Sequence, residues 1–490
     1  MRPSYWLEFG FCGGLKNGKI NNMNLRLYNT LTRKKEVFKP LKAKSVGIYS
    51  CGPTVYWNQH IGNMYAYIQW DVLVRFLRYS KYKVKWVMNV TDVGHMTSDE
   101  DSGEDKMEKG AKREGLSVWQ IADKYIKQFL ESMDLLNITR PDILCRATEH
   151  IKEQIDLIKK IEKNGFAYRT QTGLVFDTSK FPDYQKFARL NLKKQRAGSR
   201  VEIDKEKRQP WDFLLWVINQ PNHVMLWESP WGKGFPGWHV ECTAMSTKYL
   251  GNRFDIHTGG KEHIPVHHTN EIAQAFGAFG RQTANFWLHN EWLLLDKAKV
   301  SKSLGNIVLA TDLAQKGFNP LAFRYLALTS HYRQGLNFTW KGMEAAQNAL
   351  DNLYEKVREL KNSKTKIKGL EIKMEKYREK FLEYTSDDLN VPKAMALMWD
   401  LIKDKNVNAK DKYKLMLDFD KILEFGLGEI KETKIPSEIK KLAEAREKYR
   451  RQGNWQAADK IRQEVKEKGY LIEDTAEGPK IKKQGQLQIK

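Results

Sequence analysis

The sequence predicts an α/β protein: a doubly wound parallel sheet interrupted by an inserted connective segment, followed by a helical bundle and a small C-terminal α+β unit. Three observations carry that prediction. Near the start, SVGIYSCGPTVY, IQWDVLVRFLRYS and YKVKWVMNVTD read as strand, helix and strand, the unit from which parallel sheets are built. Two more strand-like runs, FDIHTGG and FWLHNEWLLLD, return after an irregular stretch containing several Gly, Pro and Trp residues. Beyond about residue 310, apolar residues recur at helical spacing, as in MEAAQNALDNLYEKVREL and EKYREKFLEYTSD.

Taken in order, residues 1–22 are Gly- and Asn-rich with no period and read as a disordered, dispensable extension. Residues 23–140 form the first half of the sheet domain. Within it NLRLYNTL alternates as a strand does, and the charged run TSDEDSGEDKMEKGAKREG reads as a mobile loop over 97–115. Residues 141–230 read as a connective insertion, with helical patterns to about residue 165 and then the strand-like GLVFDTS. Residues 231–310 return to the sheet. Residues 311–435 are helical, with Lys-rich KNSKTKIKG as an exposed loop. Pro436 opens a unit over 436–490, in which LAEAREKYRRQGNWQAADKIRQEVKEKG precedes a strand-like YLIEDT.

A chain of 490 residues needs more than one core. Its 83 Lys plus Arg against 60 Asp plus Glu give a formal net charge of +23, which favours a polyanionic partner. No apolar run approaches the ~18 residues of a membrane span. The N-terminus carries Glu8 and lacks a continuous apolar stretch, so it does not read as a secretory signal. A cytoplasmic protein without membrane contact is expected. Four cysteines in so large a chain are not a disulfide framework; reduced thiols or metal ligands fit better.

Three groups of residues carry chemistry. His60-Ile61-Gly62-Asn63 opens a helix after a strand, where unpaired N–H groups and a positive dipole end hold phosphate. Lys299-Val300-Ser301-Lys302-Ser303 precedes Leu304-Gly305-Asn306; two lysines three apart on such a loop can neutralise a leaving pyrophosphate. Either string alone reads better as a surface or core histidine and a solvated basic loop. The third group is Cys51, Cys242, His267 and Glu271, chemically suited to zinc. Without a CxxC pair, spacing alone favours buried structural cysteines. His268 is also within helical reach of Glu271 and competes for the ligand role.

The first two strings occur in order, about 240 residues apart, each beside a predicted strand end. Together they resemble the HIGH and KMSKS motifs of class I aminoacyl-tRNA synthetases, with Asn63 in place of the second histidine and Val300 in place of the methionine. YSCGPTVYWNQHIGN, NVTD, PGWHVECTAMS, FDIHTGG, HHTNEIAQ and GNWQAADKIRQE are similar, in order, to blocks of the cysteinyl-tRNA synthetase family. The resemblance implies a Rossmann-type catalytic domain that uses ATP with Mg²⁺, L-cysteine and tRNA(Cys). It implies one Zn²⁺ per chain on Cys51, Cys242, His267 and Glu271. It puts His60, Gly62, Asn63, Gly259, Glu262 and Lys302 at ATP, with His60, Asn63, Lys299 and Lys302 catalytic. Thr91 and Trp238 would hold the cysteine. At position 262 the family commonly has an aspartate, a ribose contact. The helical domain and the C-terminal unit would bind tRNA, the latter at the anticodon, with Trp455 stacking on a base. A monomer is expected. A small-molecule cysteine ligase built on the same catalytic core would lack the GNWQAADKIRQE end.

Overall fold

The computed structural model describes residues 24–94, 105–190, 206–220, 223–296, 298–299, 307–363, 371–430, 435–475 and 478–483. The expected extension and Lys302 lie outside the described residues.

Strands β1 (Arg26–Asn29) and β2 (Lys34–Val37) form an antiparallel hairpin. Next come β3 (Ser45–Ser50), α1 (Ile61–Tyr79), β4 (Lys83–Val90), α2 (Lys106–Glu114), α3 (Val118–Leu135), β5 (Ile143–Arg146) and α4 (Ile151–Lys163). Strands β6 (Ala167–Thr170), β7 (Gly173–Phe176), β8 (Phe213–Ile218) and β9 (Gly234–Pro236) make an antiparallel sheet of their own. The chain returns through α5 (Trp238–Leu250), β10 (Phe254–Gly260), α6 (His267–Phe279) and β11 (Ala284–Asn290). The central sheet has the order β11-β10-β3-β4-β5, parallel throughout. This is the doubly wound α/β architecture expected from the sequence. β3 pairs with β4 on one side and with β10 on the other, so the direction of winding reverses between β3 and β10. Ligands of such sheets bind outside the carboxyl ends of the strands at that point.

Small strands β12 (Leu293–Leu295), β13 (Ala298–Lys299) and β14 (Leu336–Phe338) form a third sheet around α7 (Ala310–Gln315) and α8 (Pro320–Leu328). Helices α9 (Trp340–Asn362), α10 (Glu371–Ser386), α11 (Val391–Lys403) and α12 (Ala409–Leu423) build the bundle. The last unit contains α13 (Ser437–Arg451), α14 (Trp455–Glu467), β15 (Tyr470–Thr475) and β16 (Gly478–Lys483). Among the described residues no helix is long and apolar enough to cross a membrane.

Helix α1 is apolar around most of its circumference, from Ile61 to Leu77, because it is covered on both sides. Its side chains share one core with β3, β4 and the bundle helices. The opposite face of the sheet packs on α4, α5, α6 and the antiparallel sheet through a second core that includes Trp216, Phe176 and Trp287.

Two expectations need correction. The charged run over 97–115 contains a helix, α2. Asp105 caps it, Oδ1 accepting from the backbone N–H groups of Met107 and Glu108, and Gly115 ends it with φ 66°. Its short apolar face, Met107 and Ala111, was masked by the surrounding charges. Nor is the stretch over about 166–230 mainly irregular, since it carries β6, β7 and β8. β5 is an edge strand of the parallel sheet, and Phe213–Ile218 is a buried strand whose continuous apolar run carries no alternation.

Candidate active site

A cavity of about 320 Å³ opens at the carboxyl ends of β3 and β10. That size is within the range of small-molecule sites. Its walls bring together Cys51, His60, Gly62, Asn63, Thr91, Trp238, Cys242, Gly259, Glu262 and His267.

The floor is built where β3 and β4 end. A Cβ on Gly52 would lie 1.7 Å from the Asn89 carbonyl oxygen, so only glycine fits this turn. The Gly52 N–H donates to Asn89 Oδ1 at 2.9 Å, and Asn89 Nδ2 donates to Thr91 Oγ1 at 3.2 Å. Thr91 Oγ1 in turn donates to Glu241 Oε2 at 2.9 Å, a fully buried carboxylate on α5. Glu241 is not marked out by the sequence, which offers Asn89 as a polar strand end without a role. Trp238, Glu241 and Cys242 stand at positions i, i+3 and i+4 of one helix, and that shared face is the signal that could have found Glu241.

Helix α1 begins at this wall. His60 is its N-cap, extended at φ −82° and ψ 168°, and its Nδ1 accepts the Asn63 N–H at 3.3 Å. The ring proton therefore sits on Nε2, a donor. The first turn contains no acidic residue to neutralise the positive dipole end. The Ile61 N–H donates to the Val308 carbonyl at 2.8 Å, and His60 bridges Leu309. The segment directly after the KxSKS string is thus fastened to the helix start. Lys299 lies on β13 through its backbone.

The sulfur-bearing wall is a cluster of side chains of the types that ligate metals. His267 Nε2 is 3.1 Å from Glu271 Oε1, and Cys51 Sγ is 3.9 Å from the same oxygen. These separations approach the ~3.3–3.8 Å between neighbouring ligand atoms around a tetrahedral zinc ion, as implied by its bond lengths. Two thiols, an imidazole and a carboxylate fit such an ion. Cys242 lines the same wall but lies outside the group of side chains whose ligand atoms all come within 4.8 Å of one another. His268 also reaches the cluster, Nε2 lying 3.2 Å from Cys51 Sγ. A set of Cys51, His267, His268 and Glu271 lies within one coordination sphere's reach. The two histidines differ in what surrounds them. His267 lines the cavity, while His268 does not and contacts His289 Nε2 at 2.7 Å through Nδ1.

Burial pushes the Cys51 thiol up and the His268 imidazole down, toward their neutral forms, whereas Cys242, His267 and Glu271 shift the other way. Burial would raise the Cys242 thiol, but hydrogen bonds from Cys51 and His267 bring it down to about 7. Burial opposes a charge on His267, yet Cys242 and Glu271 raise it to about 10. Glu271, likewise opposed by burial, is held at about 2 by His257 and His267. His257 Nε2 is 2.9 Å from Glu271 Oε2 and fixes the carboxylate from behind.

Trp238 starts α5 with its ring 4.6 Å from that of His267. Gly259 is required by packing: a Cβ there would lie 2.6 Å from His268 Cε1. Trp455 is remote in sequence, at the start of α14, 60% exposed and 5.9 Å below the Arg450 guanidinium.

A cavity at the switch point of a parallel sheet, flanked by a helix start without acidic residues, is the arrangement found in α/β enzymes that bind nucleotides. Residues 37–348 match the family described as the tRNA synthetases class I (C) catalytic domain. Among solved structures, Mycobacterium tuberculosis methionyl-tRNA synthetase bound by methionyl-adenylate has a TM-score of 0.57 at 14% identity. It covers 79% of this chain and 93% of that chain, a likeness of fold.

Curated relatives narrow the class. The cysteine–tRNA ligase of Treponema denticola is 45% identical over 93% of this chain and 98% of its own length. Cysteine–tRNA ligase 1 of Burkholderia lata is 44% identical over 94% and 97%. The Thermus thermophilus ligase is 39% identical over 94% and 99%. The chain belongs to the cysteinyl-tRNA synthetase family of class I aminoacyl-tRNA synthetases. As an enzyme it joins cysteine to tRNA.

Proposed function

We propose that the enzyme first forms cysteinyl-adenylate from L-cysteine and ATP and then transfers the cysteine to tRNA(Cys), with a zinc site selecting the substrate thiol. The observation that carries this reading is that one cavity wall holds the Cys51, Cys242 and His267 cluster and another holds the start of α1. Cys51, Cys242, His267 and Glu271 would hold zinc. When bound, the metal supplies a soft Lewis acid that prefers a thiolate to a hydroxyl and so separates cysteine from serine.

The remaining work falls to the protein's own groups. Trp238 and Thr91 border the amino-acid end. The Asn89–Thr91–Glu241 hydrogen bonds hold Thr91 in place. His60 Nε2–H and the positive dipole end of α1 would face phosphate, while Lys299 and Lys302 would offset charge on the departing pyrophosphate. Mg²⁺ enters with ATP and shares that charge. Glu262 accepts from the ribose. No protein nucleophile is needed, because the cysteine carboxylate attacks the α-phosphorus and pyrophosphate leaves.

The test is cysteine-dependent ATP–pyrophosphate exchange and charging of total tRNA, with metal analysis alongside. About one zinc per chain is expected. Exchange should favour cysteine over serine, and removal of the metal should abolish that preference. Exchange that is equally fast with serine, or full selectivity without metal, refutes the reading.

A further inference from the structure

Strands β10 and β11 end side by side, with Gly260 opposite Asn290. The residues that follow them are braced against each other. Trp292 Nε1 donates to Glu262 Oε2 at 2.8 Å. Lys261 Nζ lies 3.9 Å from the centre of the Trp292 ring and forms an ion pair with Glu291. The Trp292 backbone N–H donates to Glu291 Oε1 at 3.0 Å. Glu262, Trp292 and Gly260 all face the cavity.

Glu262 folds back over the strand end. A Cβ at Gly260 would meet its two carboxylate oxygens at 2.3 and 2.4 Å, so glycine is what allows this pose. Glutamate has one more rotor than aspartate, and an exposed one samples several wells. The indole N–H, which donates and cannot accept, selects one of them. It occupies Oε2 and leaves Oε1 as an acceptor at the cavity edge. Among the described wall residues Glu262 is the sole carboxylate. A carboxylate repels phosphate and accepts from hydroxyl groups, so this end of the cavity suits the neutral, hydroxyl-bearing part of a nucleotide.

Resting on the reading that ATP occupies this cavity, we propose that Trp292 is a positioning residue for the nucleotide. It holds the longer Glu262 side chain so that the remaining oxygen accepts from a ribose hydroxyl. Trp292→Phe keeps an aromatic ring under Lys261 while removing the indole N–H together with the pyrrole edge. Binding of ATP, 2′-deoxy-ATP and 3′-deoxy-ATP is measured by calorimetry on the full-length protein and its variants. Trp292→Phe is expected to weaken ATP binding by about fivefold, the scale of one partly exposed charge-assisted hydrogen bond. The analogue lacking the contacted hydroxyl should show no such loss. In a Glu262→Ala background the Trp292→Phe change should add nothing. An equal loss for all three nucleotides, or no loss for any, overturns the proposal. Absence of cysteine-dependent exchange in the unmutated enzyme would instead defeat the proposed function, while the three binding constants would still decide the role of Trp292.

Discussion

His267 and His268 are neighbours on α6 with different surroundings. His267 faces the cavity and contacts both Glu271 and Cys242; His268 is wedged against Gly259 and leans on His289. Removing the first deletes a proposed ligand, whereas removing the second disturbs a group packed behind Cys51. His267→Ala and Cys242→Ala should therefore lose zinc and cysteine affinity together. His268→Ala should weaken metal binding by about tenfold, the scale of lost outer-shell support. Metal analysis of the purified variants decides: zinc stripped by His268→Ala and retained by His267→Ala would reverse the assignment. Lys302→Ala should slow pyrophosphate exchange by about 10²-fold or more while leaving thermal melting unchanged, because its charge is needed mainly in the transition state. An unchanged exchange rate would remove Lys302 from the mechanism. At this scale residue types alone were ambiguous, since spacing favoured structural cysteines. Folding brings Cys51, Cys242 and His267 onto one wall from separate elements, which linear spacing cannot express. Glu241 and Trp292 were not singled out because their partners, Thr91 and Glu262, are distant in sequence.

Helix α1 is fixed to the bundle by ions as well as by apolar packing. Asp71 Oδ2 accepts from Arg75 Nε at 2.8 Å and from Arg324 Nη2 at 2.6 Å, and Oδ1 accepts the Thr139 N–H at 2.9 Å. Arg324, wholly buried on α8, also donates to the carbonyls of Leu136, Asn137 and Leu423. Asp71 stands eleven positions after His60, the cap of the same helix, so this junction helps set where the helix start lies. Arg324→Ala leaves Asp71 with Arg75 as its one cationic partner and removes the donor to three carbonyls, and should cost about 3–5 kcal/mol, read from denaturant midpoints. Burial would raise the Asp71 carboxyl, but Arg75 and Arg324 hold it below its ordinary value of 3.8. Its contribution is therefore complete above that pH and is lost as the pH falls through the depressed value. Arg324→Ala should make the melting temperature less steep on acidification over that window; an unchanged slope would disprove the coupling. Long periodic elements such as α1, β4 and α9 were plain in the sequence. Short α2 and the apolar β8 were not, because one has too few turns and the other has both faces covered.

For the whole molecule, recognition is expected to be separable from chemistry. The residues assigned to ATP, zinc and cysteine precede Asn306, while the segment after Pro436 carries basic residues around Trp455. Deleting that segment should leave cysteine-dependent exchange intact and raise KM for tRNA by about tenfold or more, with a shallower salt dependence. Equal charging by a normally melting truncated protein would mean that the unit does not read the anticodon. Some of its charge is already committed: Arg446 is buried and pairs with Asp474 at 2.6 Å.

The terminal unit also encloses a core of its own, formed among the described residues by Ile439, Ala443, Val465, Tyr470 and Ile472, whereas a single far larger core runs from the parallel sheet through the bundle. So few apolar residues leave little reserve against opening. Amide hydrogens of α14 and β15 should exchange with solvent through local unfolding, well before those of α1 and β4, which open only with the main body. A ligand that binds only the closed form raises that opening energy. On the proposal that this unit holds tRNA, the deuterium uptake of these two elements becomes a gauge of tRNA occupancy, readable on an enzyme that is turning over nothing.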